Sequence, residues 1–382
     1  MKNILLIIPE NTGTIASVSF DLYLGLKKQN DITVYVACLG HYSDSGFKFD
    51  NVFKLEDNRK GPFGKIFSRI FKLRKIKKQY AIEESISTLL GATYWNVLSG
   101  IGEYKIGIYH TRLEQMKYGG RFFYVCNLIA EKTLCARLNK MIAVNKSAYL
   151  DLKRLHKHKK NIELVYNIHD FKKIKRLSLE TITDEFEKQI FRHPVILYVG
   201  SLYCNIKGSD RLLRSFAKIK SSFQDYHLVY VGPDLNHSLE ELQSLCKKYN
   251  LSDSVFFLGP KNNPYPYMKH AEILVSPSRD EGLPGVLIEA LSLGLKCVAT
   301  NSSMGVWEIM ECVDEYDAEL KNIVQTNYGF ICPNNLENDD FTIQNLSNAI
   351  EKCISTNFPK MDNFDTSRFS ENIIIPHFLE LN

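Results

Sequence analysis

The stretch Ser276-Pro-Ser-Arg-Asp-Glu281-Gly-Leu-Pro-Gly-Val-Leu-Ile-Glu289-Ala-Leu-Ser-Leu-Gly294 sets two carboxylates eight residues apart across a strand-to-helix junction. Ahead of it, Ala271-Glu-Ile-Leu-Val275 is a short apolar run suited to a buried strand. Pro284 suits the first position of a helix, and Val286, Leu287, Ala290, Leu291 and Leu293 recur at helical spacing. Glu281 is therefore expected in the loop at the carboxyl end of a strand, where open α/β sheets bind ligands, and Glu289 on the second helical turn. The backbone of Gly282, Leu283, Pro284, Gly285 and Val286 then offers N–H groups at a positive helix end, a setting that favours a phosphate.

Outward from this junction the same strand-helix logic repeats. Strand patterns stand at 195–199, 227–231, 255–258, 273–275 and 297–300, each followed by a turn and a helical segment. The amino-terminal half opens with Lys2-Asn-Ile-Leu-Leu-Ile-Ile-Pro9, the loop Glu10-Asn-Thr-Gly13-Thr14 and a helix to Leu26, then strand patterns at 32–37, 105–109, 141–144 and 163–166. Strands alternating with helices imply parallel sheets, and 382 residues exceed one ordinary core. The expectation is an α/β chain with two doubly wound, Rossmann-like domains at 1–168 and 193–360, joined by a polar hinge at 169–192 and ended by a helix at 361–382. No Gly-x-Gly-x-x-Gly follows the first strand, and Gly61-Pro-Phe-Gly-Lys65 lacks the spacing of a P-loop.

Composition narrows the class. Hydrophobic residues make up 45% and charged residues 24%, the balance of a folded, water-soluble chain. No stretch approaches the ~18 apolar residues of a membrane span, so a cytoplasmic protein is expected. Nine cysteines without any Cys-x-x-Cys argue for a reducing compartment and small core residues rather than zinc or disulfides. Residues 1–190 carry a net charge of +13 and residues 191–382 one of −8, so the two halves face different partners.

The run Glu-Gly-Leu-Pro-x-Val-Leu-Ile-Glu-Ala, with the strand pattern that follows it, resembles the signature of family 4 retaining glycosyltransferases, which have the GT-B fold. The resemblance implies two domains facing across a cleft, Glu281 on donor-sugar hydroxyls and Glu289 on the nucleotide ribose. Leu197-Tyr-Val-Gly200-Ser201…Lys207-Gly208-Ser-Asp210-x-Leu-Leu resembles the family segment whose Arg and Lys grip the donor diphosphate. Lys207 matches, and Ser201 stands where the family has Arg, with Arg279 a candidate surrogate. His110, ending a strand pattern, falls where the family places a His against the donor sugar, although a histidine there also serves as an ordinary hydrogen-bonding residue. Gly13 and Thr14 occupy a loop where the family often has paired glycines. Glu308, in Gly305-Val-Trp-Glu308-Ile309, matches a segment lining the donor pocket, or else starts a helix. By the same analogy the last helical stretch crosses back to the first domain.

No two aspartates are separated by one residue, so the Asp-x-Asp metal motif is absent and a metal-independent enzyme without a cofactor is expected. From Lys60 to Lys78 there are eight basic residues and no acid, with Phe63, Phe67, Ile70, Phe71 and Arg74 at helical spacing. That is the composition of a helix lying on an anionic membrane surface, with Lys65, Phe67, Arg69, Phe71, Lys72, Lys75 and Lys78 as its contacts. The plainer alternative is a core-facing helix with a solvated basic back. No nucleic-acid motif accompanies the charge. The sequence thus implies a glycosyltransferase peripheral on the inner face of the membrane, using a nucleotide sugar, UDP-linked, and a lipid-linked saccharide acceptor. A sugar-nucleotide epimerase and a non-catalytic nucleotide-sugar binding subunit are the rival readings.

Overall fold

The apolar run at the start of the chain forms strand β1 (Lys2–Ile8), and its two faces seed two layers of core. Ile4, Leu6 and Ile8 pack with Leu22, Tyr23 and Leu26 of the helix Gly13–Lys27, while Leu5 and Ile7 pack with Leu73 and Ile76 of the helix Pro62–Gln79. Alternate side chains of a strand point to opposite faces, so an unbroken apolar run needs helices on both sides. The computed structural model describes residues 2–56, 62–110, 121–312, 316–359 and 361–379, and for 62–65, 121–123 and 362 the backbone alone.

The chain divides into two compact units, one of Met1–His169 with Ser367–Asn382, the other Asp170–Thr366. The first unit holds β1, β2 (Ile32–Cys38), β3 (Val52–Lys54), β4 (Glu84–Thr88), β5 (Tyr104–Tyr109), β6 (Lys140–Ala143) and β7 (Ile162–Leu164), all parallel, in the order β3-β2-β1-β4-β5-β6-β7. The second holds β8 (Val195–Val199), β9 (His227–Val231), β10 (Val255–Phe257), β11 (Ile273–Ser276), β12 (Lys296–Thr300), β13 (Val324–Gln325) and β14 (Gly329–Cys332). Their order is β10-β9-β8-β11-β12-β14-β13, parallel except for β13 against β14. Each sheet reverses its winding once, between β1 and β4 and between β8 and β11, the switch points where such sheets hold ligands.

The expected hinge and the expected last helix are corrected. The expected hinge at 169–192 contains two capped helices, Phe171–Ser178 and Glu185–Ile190, with the Asp170 and Asp184 carboxylates accepting from the Lys173 and Glu187 N–H groups. They pack into the second unit, where Tyr267 donates its hydroxyl to Glu187 Oε2 at 2.6 Å. The expected single helix at 361–382 is a succession of short turns, Ser367–Phe369, Glu371–Ile374 and Ile375–Phe378. Ile374, Ile375 and Phe378 complete the core of the first unit beside β1.

The basic helix Pro62–Gln79 is two-sided. Leu73 and Ile76 are buried, whereas Phe67 and Phe71 are 70% and 72% exposed, beside exposed Arg74, Lys75 and Lys78. Lys77, counted above with the basic run, is fully buried and donates to Glu103 Oε1 at 2.6 Å and the Asn96 carbonyl at 2.9 Å. Burial pulls its ammonium down to about 8 despite the opposing pull of Glu103. Arg69 turns inward, with Nη2 on the Leu39 carbonyl at 3.1 Å and its guanidinium 5.8 Å from the Trp95 ring centroid, which corrects its assignment to the outer face. The Lys65 side chain lies outside the described residues. Among the described residues no helix is long and apolar enough to cross a membrane. Seven of the nine cysteines are buried, as a core role predicts.

Candidate functional site

At the switch point of the second unit, β8 and β11 are neighbours, so the loops leaving their carboxyl ends meet. The β8 loop runs through Ser201 into the short helix Cys204–Lys207. Gly208 ends that helix at φ +64°, and a Cβ there would lie 2.2 Å from the Pro277 carbonyl oxygen. Only glycine tolerates both the left-handed backbone and that approach, so the β8 loop lies flush on the β11 loop. The contact sets Lys207 Nζ 2.8 Å from Glu281 Oε1. Ser278, buried at 2% exposure, donates its hydroxyl to the same oxygen at 2.8 Å, and its carbonyl accepts from Thr300 Oγ1 at 2.5 Å. Lys207 and Glu281 both keep part of their side chains in solvent, so the pair is a surface feature of a buried scaffold.

After Gly282 and Leu283 the chain enters the helix Gly285–Ser292, for which Pro284 is the N-cap rather than the first helical residue. Pro284 has no side-chain oxygen with which to cap the N–H groups of the first turn. Glu289 lies half-buried on its second turn. A second wall forms after β12. Gly305 has no room for a Cβ, which would lie 2.2 Å from the Gly282 carbonyl oxygen, and Ser303 donates to that carbonyl at 3.1 Å. Glu308 is the fifth residue of the helix Met304–Ile309, half-buried, which removes the helix-start reading.

Arg279 does not replace the missing arginine at Ser201. Its four terminal N–H donors all meet protein acceptors: Asp210 Oδ1 at 2.9 Å, Asp210 Oδ2 at 3.1 Å, Asp339 Oδ2 at 2.5 Å and the Cys204 carbonyl. The two carboxylates overcome burial and raise its already high pKa. Ser201 sits in the turn after β8, where its carbonyl accepts from the buried Tyr198 hydroxyl at 2.7 Å. Burial and then the nearby Glu281 charge push that phenol up. Behind Arg279, Arg211 is fully buried, with Nε on Asp339 Oδ1 at 2.9 Å and Nη1 on Asn334 Oδ1 at 2.7 Å. Asp339 is held below the usual carboxylate range, burial opposing and the two guanidiniums prevailing.

In the first unit, His110 follows β5 and is 7% exposed. Its Nε2 meets no acceptor or donor among the described residues, and burial drives its pKa down to about 4, so the ring is neutral at pH 7. Gly13 and Thr14 start the helix Gly13–Lys27 and are exposed, Gly13 at φ +79°. Asn11, fully buried, ties the preceding loop to Ser43 and Phe47 through 2.7–3.1 Å hydrogen bonds. Among the described residues no group of three or more His, Cys, Asp or Glu is placed to hold a metal ion.

Ser278, Arg211, Asp339 and Asn334 were not singled out by sequence. Asp339 is 128 residues from Arg211, and no local pattern announces that contact.

Residues 193–337, which contain Lys207, Arg211, Arg279, Glu281, Glu289 and Asn334 but not Asp339, match the family model of the glycosyl transferases group 1. Over nearly the whole chain the fold also resembles the Anabaena protein Alr3699/HepE, crystallised with UDP and glucose. The TM-score is 0.74 at 16% identity, covering 98% of this chain and 97% of that one. The fold is GT-B. An uncharacterized glycosyltransferase of Methanocaldococcus jannaschii is 33% identical over 153 residues, 40% of this GT-B chain and 37% of that protein. The N-acetylgalactosamine-N,N'-diacetylbacillosaminyl-diphospho-undecaprenol 4-alpha-N-acetylgalactosaminyltransferase of Campylobacter jejuni is 34% identical over 152 residues, 39% of this chain and 38% of that one. The chain thus spans well under half the length of these last two relatives.

Proposed function

We propose that this GT-B protein is a retaining glycosyltransferase of polysaccharide or lipopolysaccharide synthesis. It moves a hexose or N-acetylhexosamine from a UDP-linked donor to a lipid-linked saccharide. The observation that carries the reading is the Lys207–Glu281 pair at the switch point, inside the segment that matches the family. Lys207 and the first-turn N–H groups of Gly285 and Val286 face the diphosphate, Glu281 accepts from the sugar hydroxyls, and Glu289 accepts from the ribose.

In the reaction the acceptor oxygen bonds to the anomeric carbon on the face from which the diphosphate leaves. The anomeric C–O bond breaks with its electron pair going to phosphate, and the acceptor proton passes to a phosphate oxygen. Lys207 stabilises the charge that grows on the leaving group. Neither a metal nor a protein base is required by this scheme. His110, neutral at pH 7, supplies a hydrogen-bonding ring rather than a charge. The amino-terminal unit takes the acceptor, and the exposed Phe67 and Phe71 with Arg74, Lys75 and Lys78 bring it to the anionic inner face of the membrane. The Campylobacter relative, named for a diphospho-undecaprenol acceptor, supports a lipid-linked substrate.

Ser201 favours a second reading, a subunit that binds nucleotide sugar without turnover, because one diphosphate cation of the resembled family is missing. Incubation with radiolabelled UDP-sugars and a membrane lipid extract, with and without EDTA, decides. Label in the lipid fraction, EDTA-insensitive and with the donor's anomeric configuration, is expected. Isomerised free nucleotide sugar would identify an epimerase, and binding without turnover the second reading.

A further inference from the structure

Lys207 and Glu281 belong to different segments, so their 2.8 Å separation is only as definite as the join between helix Cys204–Lys207 and the loop of residues 277–284. Arg279 makes that join twice. Its backbone N–H donates to the Ile206 carbonyl at 2.7 Å, and its guanidinium donates to the Cys204 carbonyl. Both carbonyls lie in the short helix that ends in Lys207, while Glu281 follows Arg279 by two residues.

The guanidinium is fixed in turn. Asp210, 3% exposed, takes it in a two-point fork, and Asp339 takes Nη2. Arg211 holds Asp339 from the opposite side and reaches Asn334, whose Nδ2 donates back to the Arg279 carbonyl at 2.9 Å. Two guanidiniums and two carboxylates balance, and the ring of contacts closes on Arg279. A forked guanidinium–carboxylate contact fixes angle as well as distance, which a lysine could not do.

We propose that Arg279 is a positioning residue: with Asp210, Asp339 and Arg211 it locks the β8 and β11 loops together and so sets the Lys207–Glu281 pair for the donor. This rests on assigning that pair to the donor site. It accounts for the aspartate of the Lys207-Gly-x-Asp210 motif, which meets a guanidinium rather than substrate. A catalytic group displaced by ~1 Å loses much of its effect, so loosening the lock lowers donor use without touching the donor.

The test uses Arg279→Lys and the milder Asp339→Asn, with amide hydrogen exchange, UDP titration calorimetry and a double-mutant cycle against Lys207→Met. We expect cooperative melts, faster exchange in residues 204–208 and 277–284 together, and about a tenfold higher Kd for UDP. The double variant Arg279→Lys/Lys207→Met should bind UDP no worse than Lys207→Met alone. Wild-type protection in both loops, or losses that simply add, would overturn the proposal. If Arg279→Lys fails to fold, Asp339→Asn gives the same readouts, since its carboxylate is half-exposed and Arg279 keeps Asp210. If both loops loosen but Lys207→Met leaves UDP affinity unchanged, the lock stands and the donor assignment fails.

Discussion

Lys207 Nζ lies 2.8 Å from Glu281 Oε1 although 74 residues separate the two in the chain. The ion pair is partly solvated, so its removal costs little stability, on the order of 1 kcal/mol or less. Its loss from the growing charge on a leaving diphosphate is a larger matter. Lys207→Met should lower kcat by about 10²–10³-fold while shifting Tm by a few degrees at most. Steady-state kinetics beside a thermal melt measure both, and an unchanged kcat would remove Lys207 from the chemistry.

Glu289→Ala tests the ribose assignment apart from the sugar. A hydrogen bond to a charged group contributes about 1.5–3 kcal/mol, so the Kd for UDP should rise roughly 10–100-fold. Calorimetry with UDP alone reads this, because the ribose is present and the sugar is not. Unchanged affinity would place the ribose elsewhere.

Gly208→Ala puts a Cβ at φ +64° and 2.2 Å from the Pro277 carbonyl oxygen. Neither strain can be relieved without parting the two loops. A destabilisation of about 2–4 kcal/mol in urea unfolding is expected, with UDP affinity reduced in whatever remains folded.

His110 is buried and His169 half-buried, and desolvation holds both down to about 4. Their unfolded-state pKa is ~6.5, so the unfolded chain binds protons first as pH falls. Stability is therefore full above 6.5 and is lost as pH falls through the folded values near 4, by up to about 3 kcal/mol for His110 and by less for the half-buried His169. Urea midpoints across pH 7 to 4 should fall accordingly, and His110→Gln should flatten the slope by about one proton.

Phe67→Ser/Phe71→Ser should leave Tm within a degree or two, since both rings are mostly exposed, and should abolish sedimentation with phosphatidylglycerol vesicles. Lys75→Glu/Lys78→Glu should weaken the same binding in a salt-dependent manner. Persistent binding by both variants would place the membrane contact elsewhere.

The strands legible in sequence were those whose burial is apolar. The patterns at 195–199 and 227–231 coincide with β8 and β9, and that at 297–300 falls one residue short of β12. Strand β4, Glu84-Ser-Ile-Ser-Thr88, passed unnoticed because four of its five buried residues are polar. Its polar groups find partners outside the strand: Glu84 with Lys2, Ser85 with Asn96 and Glu103, Ser87 with Thr93. Hydrophobic periodicity cannot register such a strand. The site divides the same way. Glu281, Glu289 and Lys207 lie in contiguous motifs, whereas Asp339 reaches Arg279 and Arg211 only through the fold. Arg279 itself was visible and misread, because a sequence shows that a cation is present and not where its donors are spent.

The residues that finish the first core, Ile374, Ile375 and Phe378, follow the whole of the second unit in the chain. During synthesis, then, the first sheet emerges early but stays incomplete on the face of β1 that carries Ile4, Leu6 and Ile8 until translation has passed residue 378. Domains usually close in the order they are made. Here the unit made second can close first, and the unit begun first waits with an apolar face only partly covered, by the helix Gly13–Lys27.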